Sequence, residues 1–197
     1  MKPLTVTCSV VLTALLLAGC QSAAPRQRTG LVAMRGNPLT LLGRPVNVGD
    51  PAPSFTAVAN DLSTFDFARR PEGVYILASV PSIDTPVCSA ETRRFNEEAG
   101  KLGPAIKVLT VSMDLPFAQK RWCGAEGITA VQTLSDFRDR EFGQTYGLRI
   151  KENGLLARAV LVVDRQGKIV YQQIVPELTQ EPDYAAALAA ARKAAGA

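Results

Sequence analysis

The chain has 197 residues, with 22 Lys and Arg against 18 Asp and Glu, four cysteines and no histidine. An apolar fraction of 47% with 20% charged residues fits one globular domain with a sizeable core, and argues against a disordered or fibrous chain. The missing histidine excludes Ser-His-Asp and Cys-His triads, histidine metal ligands and an imidazole proton shuttle, while a net charge of +4 with no Lys/Arg block gives nucleic-acid binding no support.

Met1-Lys2 and the uncharged, mostly apolar residues 4–18 read as the positive and hydrophobic parts of a secretory signal, closed by Leu17-Ala18-Gly19-Cys20. That tetrapeptide resembles a bacterial lipobox, whose cysteine is acylated and becomes the mature N-terminus. An uncleaved signal anchor over residues 3–25 is the rival, weakened by Thr5, Thr7, Ser9, Gln21 and Ser22. The expected organisation is a signal peptide 1–19, a flexible tether 20–30 lipidated at Cys20, and one folded domain 31–197. The protein is expected to be exported and held on the cell envelope, facing the periplasm. Cys8 leaves with the signal and Cys20 is alkylated, so Cys88 and Cys123 remain as a pair of thiols in an oxidising compartment.

Beyond the tether, residues 31–35 and 38–41, split by Gly36-Asn37, predict an N-terminal hairpin. Residues 55–58 give a weak strand signal. The apolar run 74–80 predicts a strand covered on both faces. A helix follows from Thr85 to about Lys101, with Pro86 in its first turn. Residues 106–113 form a second buried strand, 115–126 a helix opened by Asp114, and 131–134 a short strand. Ser135-Asp136 opens a helix running to Tyr146 and stopped by Gly147. Residues 158–164 and 168–175 are strands joined by a tight turn, hence antiparallel, and an Ala-rich helix, 183–195, docks on the sheet. This order implies an α/β fold, a mixed sheet flanked by helices, compatible with a thioredoxin-like architecture carrying an N-terminal β-hairpin.

The chemistry is expected at Cys88. With Thr85 as N-cap, Cys88 is the third residue of its helix, among unsatisfied first-turn N–H groups and the positive end of the helix dipole. The thiolate, which is the nucleophile, is favoured there. The Thr85 hydroxyl has two roles open to it: capping the helix by accepting from the Cys88 N–H, or hydrogen-bonding the sulfur or a bound oxygen.

The spacing Pro81-x-x-x-Thr85-x-x-Cys88 resembles the active-site motif of the peroxiredoxins, cysteine-dependent peroxidases on a thioredoxin-like fold. Residues 112–127 (SMDLPFAQKRWCGAEG) are similar to the resolving-cysteine region of their thiol peroxidase branch, the atypical two-cysteine type, with Trp122 where Phe is usual. Residues 154–160 and 181–184 resemble that branch too. The resemblance implies a thiol-dependent peroxidase acting on hydrogen peroxide and organic hydroperoxides without metal or organic cofactor. Cys88 would be the peroxidatic cysteine and Cys123 the resolving one, joined in turnover as a disulfide. Thr85 and Arg158 would contact the sulfur and the peroxide oxygens, and Pro81 would shield the intermediate from water. A thioredoxin-like protein as reductant and a homodimer are implied in the same way. The helix ends around two buried cysteines are expected to unwind during turnover.

Plainer readings stand beside these. On composition alone, two cysteines in an exported protein suggest a static disulfide in a non-enzymatic lipoprotein. A thiol-disulfide oxidoreductase would share the fold, yet no C-x-x-C occurs. Taken singly, Arg158 reads as a strand-end ion pair, Arg93 and Arg94 as a solvated helix face with Glu91 and Glu97, Asp84 as turn chemistry, and Phe117 and Trp122 as core or interface aromatics.

Overall fold

Apolar runs of five to seven residues bounded by turns have nowhere stable to go but the middle of a sheet covered on both sides. A computed structural model describes residues 26–196 and builds this chain around such runs. The expected signal peptide, Cys8 and Cys20 lie outside the described residues. In chain order the elements are β1 (Gln27–Met34), β2 (Asn37–Leu42), β3 (Thr56–Ala59), β4 (Thr64–Asp66), β5 (Val74–Ser79), α1 (Pro86–Leu102) and β6 (Ile106–Ser112). There follow α2 (Pro116–Glu126), β7 (Val131–Ser135), α3 (Glu141–Thr145), β8 (Arg149–Ile150), β9 (Ala159–Val163), β10 (Ile169–Ile174) and α4 (Tyr184–Ala195).

Seven strands make one mixed sheet in the order β10-β9-β5-β6-β7-β3-β4, with β5, β6 and β7 parallel and β9 antiparallel to β5. Every residue of β5 and β9 is buried. Alternate side chains serve two cores, as the period of a strand requires. Leu77, Leu109, Val111 and Leu161 join Phe55, Phe67, Phe142 and Tyr146 on one face. Ile76, Val108, Val131 and Val162 join Phe95 of α1 and Leu188 of α4 on the other. This is the thioredoxin-like mixed sheet with flanking helices that the pattern predicts.

The N-terminal hairpin is present and longer than expected. β1 begins at Gln27, inside the stretch read as tether, because Gln27 and Arg28 pair with Leu42 and Leu41 and the Arg28 guanidinium donates to the Gly147 carbonyl. With β8 the hairpin forms a separate three-stranded sheet over Val32, Leu41, Ile150, Ala157 and Leu178. The helix expected from Ser135 to Tyr146 shrinks to α3. Ser135 ends β7, Arg140 takes a left-handed conformation (φ 57°), and the Asp136 carboxylate accepts from the N–H groups of Phe142 and Gly143, both at 2.9 Å. Asp136 therefore caps a helix that starts five residues later. Gly147 does follow it, at φ 65°, where a Cβ would lie 2.4 Å from the Arg44 carbonyl oxygen. Strands β4 and β8, three and two residues long, are too short to show a periodicity.

Candidate active site

Register decides what meets at Cys88. Ser79, the last residue of β5, pairs with Ala159, the first of β9, so Arg158 enters the sheet where the chain leaves β5 for the loop 80–85. Thr85 caps α1, its Oγ1 accepting from the Cys88 N–H at 3.4 Å and donating to the Ser82 carbonyl at 3.1 Å, and Pro86 opens the helix. Of the two roles open to Thr85, capping is the one the hydroxyl fills. Cys88 is fully buried beside Val80, Ile83 and Trp122, and Pro81 is buried in the same loop.

Arg158, only 1% exposed, spends its donors on three partners. Nη2 donates to Cys88 Sγ at 3.2 Å, Nε and Nη2 to the Leu178 carbonyl at 3.1 and 2.9 Å, and Nη1 to Glu91 Oε2. A cation taken out of water requires this kind of compensation. Burial works against the guanidinium charge, and Glu91 with the Cys88 sulfur outweighs it, holding Arg158 above its ordinary range. Burial pushes the Glu91 carboxyl up to about 7 against the opposing pull of Arg158.

Glu91 corrects an expectation. It does not lie on a solvated face with Arg93 and Arg94 but is fully buried on the inward stripe of α1, with Cys88, Thr92 and Phe95. The spacing 88, 91, 92, 95 is the i, i+3, i+4, i+7 stripe of a helix face, so a carboxylate on that stripe was the signal available in the sequence. Arg93 is exposed and pairs with Glu126 of α2 at 2.8 Å.

The Leu178 carbonyl is itself held in place. The Leu178 N–H donates to the Ala33 carbonyl at 2.9 Å, and the Ala33 N–H donates to the Pro176 carbonyl at 2.7 Å. Glu177 accepts from the Arg35 and Gly36 N–H groups at 3.0 and 3.1 Å and from the Thr179 hydroxyl at 2.8 Å. Those bonds, Gly36 first, hold its carboxyl down at about 2. The hairpin thus grips the segment that positions Arg158.

Cys123 sits apart from this cluster. It is half-buried on α2 rather than buried, with Sγ 3.4 Å from Thr133 Oγ1 and 3.9 Å from Asn60 Nδ2, at a cleft of about 400 Å³ lined by Asn60, Asp61, Ser63, Gln132 and Thr133. Both cysteines are free thiols. Trp122 is half-buried between the Cys88 cluster and the α1–α4 core, whereas Phe117, 65% exposed, is no part of the core. Asp114 does not cap α2, whose N-cap is Leu115 with no side-chain bond; its carboxylate turns instead to Ser82, Ile83 and Ser112. Asp84 lies in the turn before Thr85, its N–H donating to Ser82 Oγ at 3.3 Å. Among the described residues no group of three or more Cys, Asp or Glu is arranged to hold a metal ion.

A buried thiol at a helix start, beside a buried guanidinium on a thioredoxin-like sheet, defines a class of protein. The redoxin family model matches residues 47–188. The peroxiredoxin-like protein from Aquifex aeolicus superposes with a TM-score of 0.79 at 43% identity, over 85% of this chain and 97% of that one. The thiol peroxidase from Chromobacterium violaceum, at 23% identity and a TM-score of 0.70, shares the fold over 79% of this chain and 91% of its own. The thiol peroxidase of Bacillus subtilis (strain 168) is 52% identical over 82% of this chain and 96% of its own length. That of Staphylococcus aureus (strain MRSA252) is 50% identical over 81% and 96%. The chain belongs to the thiol peroxidase family of the peroxiredoxins and is an enzyme of that kind.

Proposed function

We propose that Cys88 is the peroxidatic cysteine and Cys123 the resolving one of a thiol peroxidase that reduces hydrogen peroxide and small organic hydroperoxides. The observation that carries this is the Arg158 guanidinium donating to the Cys88 sulfur at 3.2 Å, in a buried site at the first turn of α1. The sulfur attacks one peroxide oxygen, the O–O bond breaks, and the other oxygen leaves as water or alcohol after taking a proton. Negative charge grows on that leaving oxygen, where a guanidinium and first-turn N–H groups are worth most. Thr85, as cap, fixes the helix turn that carries the thiol, and Pro81 closes the loop against water. The resulting sulfenic acid condenses with the Cys123 thiol to a disulfide, which a thioredoxin-like dithiol protein reduces. Resemblance also supports a homodimer.

The Leu17-Ala18-Gly19-Cys20 segment supports an exported protein acylated at Cys20 and anchored to the envelope. With β1 starting at Gln27, six residues separate that cysteine from the first strand. Six residues can reach at most about 20 Å, so such an anchor would keep the start of β1 near the bilayer.

Disulfide mapping and intact mass of protein taken from membranes, before and after peroxide, test this reading. The expected result is acyl mass on Cys20 and a peroxide-induced bond between Cys88 and Cys123. Cys88→Ser abolishes peroxide consumption, and Cys123→Ser forms one sulfenic acid without recycling. Undiminished turnover in both variants would refute the assignments.

A further inference from the structure

Asp114, between β6 and α2, takes no part in the chemistry above, yet its carboxylate holds the loop that carries Cys88. Oδ1 accepts from the Ser82 hydroxyl at 2.7 Å; Oδ2 accepts from the Ile83 N–H at 2.8 Å and from the Ser112 hydroxyl at 2.7 Å. Ser112 Oγ in turn accepts from Gln119 Nε2 at 2.9 Å, and that same amide donates to the Leu134 carbonyl at 2.9 Å. Gln119 is fully buried in α2, one helical turn before Cys123. An unbroken hydrogen-bonded path therefore runs from the Cys88 loop, through one carboxylate, to the helix of Cys123.

We propose that Asp114 is a positioning residue, a latch that keeps the Cys88 loop and α2 in the closed arrangement that reacts with hydroperoxide, and whose release limits disulfide formation. The inference rests on the peroxidatic and resolving roles proposed above. Cys88 Sγ is held by Arg158 at the start of β9, and Cys123 Sγ lies against Thr133 in β7. A disulfide replaces these contacts with a direct S–S bond of about 2 Å, so each sulfur must leave its present partner before the two join. In that step the Cys123 sulfur attacks the Cys88 sulfenic sulfur and the S–O bond breaks. The oxygen departs with the thiol proton as water, and no oxidant beyond the hydroperoxide already consumed is needed.

The two half-reactions respond differently to the latch. Oxidation by peroxide scales with the closed fraction, which is near one; resolution scales with the open fraction, which is small. Asp114→Asn replaces one carboxylate oxygen with an N–H₂, so that either the Ser82 hydroxyl or the Ile83 N–H and Ser112 hydroxyl pair lose their acceptor, and it removes the charge from the remaining bonds, which weakens the closed state. The full-length chain carries one tryptophan, Trp122, packed beside Cys88, so stopped-flow fluorescence follows both steps. We expect resolution in Asp114→Asn to accelerate about tenfold, roughly one charge-assisted hydrogen bond, with peroxide oxidation slowed less than about twofold. Sulfinic acid at a given peroxide dose falls in parallel. Ser82→Ala, which removes one of the three bonds to Asp114 together with the long Asp84 N–H bond to the same hydroxyl, gives the same sign with about a threefold rise. A merely structural role would slow both steps and lower thermal stability without faster resolution. Unchanged or slower resolution in Ser82→Ala, in a protein whose wild type forms the Cys88–Cys123 disulfide, overturns the latch alone. A wild type that forms no such disulfide overturns the cysteine assignments, and the latch with them.

Discussion

Arg158 divides its N–H groups among a sulfur, a carbonyl and a carboxylate, and no other side chain could do so from one point. Lysine would keep the charge but has a single nitrogen at the end of a flexible stem. It could not hold the Leu178 carbonyl, Glu91 and the Cys88 sulfur at once. Arg158→Lys is therefore expected to stay folded and to lose about 10²-fold in kcat/KM for hydroperoxide, the scale of losing one aligned donor to a developing oxyanion. Stopped-flow peroxide consumption checks this; a loss under about threefold would mean that charge without alignment suffices. The placement of Cys88 and Thr85 was legible in the sequence because a helix start is local: the cap, Pro86 and the thiol lie within four residues, whereas Pro81 was nominated by resemblance. Arg158 was legible through resemblance alone. Glu91, three residues from Cys88, was misread, since whether a charged residue on a helix faces water depends on what packs against it.

At the scale of elements, the N-terminal hairpin braces the segment that holds Arg158. Its turn at Arg35 and Gly36 binds Glu177, whose neighbour Leu178 supplies the carbonyl that anchors Arg158. Glu177→Ala removes the acceptor of the Arg35 and Gly36 N–H groups and loosens the hairpin's hold on that segment, leaving the two Ala33 backbone bonds to carry it. The expected outcome is roughly a threefold slower oxidation by peroxide, with faster hydrogen exchange at the Ala33 and Leu178 amides and a global unfolding transition little altered. Exchange rates matching the wild type at those two amides would show that the hairpin does not carry this support. The element-level differences share one cause. β1 begins within the expected tether, and α3 is shorter than its pattern suggests, because partners outside the element, Leu42 and Gly147 in one case and in the other the Asp136 carboxylate five residues before the helix, set those boundaries.

For the whole molecule, two buried carboxyls make stability depend on pH. Burial raises Glu91 to about 7 against Arg158, and raises Asp136 to about 6 against the Gly143 and Phe142 amides. Unfolded, such groups titrate near 4. The fold thus prefers their protonated forms. Their contribution is complete below about pH 4 and disappears as pH rises through about 6 for Asp136 and 7 for Glu91. Glu91→Gln removes the larger part of this dependence. Its melting midpoint is expected to gain on that of the wild type as pH rises from about 5 to 8, read by calorimetry across that range. A difference constant with pH would mean that Glu91 keeps one protonation state throughout.

The sequence by itself determined what is local: buried strands from unbroken apolar runs, helix starts from their caps and prolines, and a thiol placed in a first turn. Those features depend on chain stiffness, side-chain period and orphan N–H groups within a few residues of each other. The tertiary structure alone decided which groups surround that thiol. Antiparallel pairing of β9 against β5 brings Arg158 to a sulfur 70 residues away in the chain, and the fold sends Glu91 inward and turns Asp114 back onto the Cys88 loop. Such contacts follow from sheet register and packing, which no stretch of residues specifies alone.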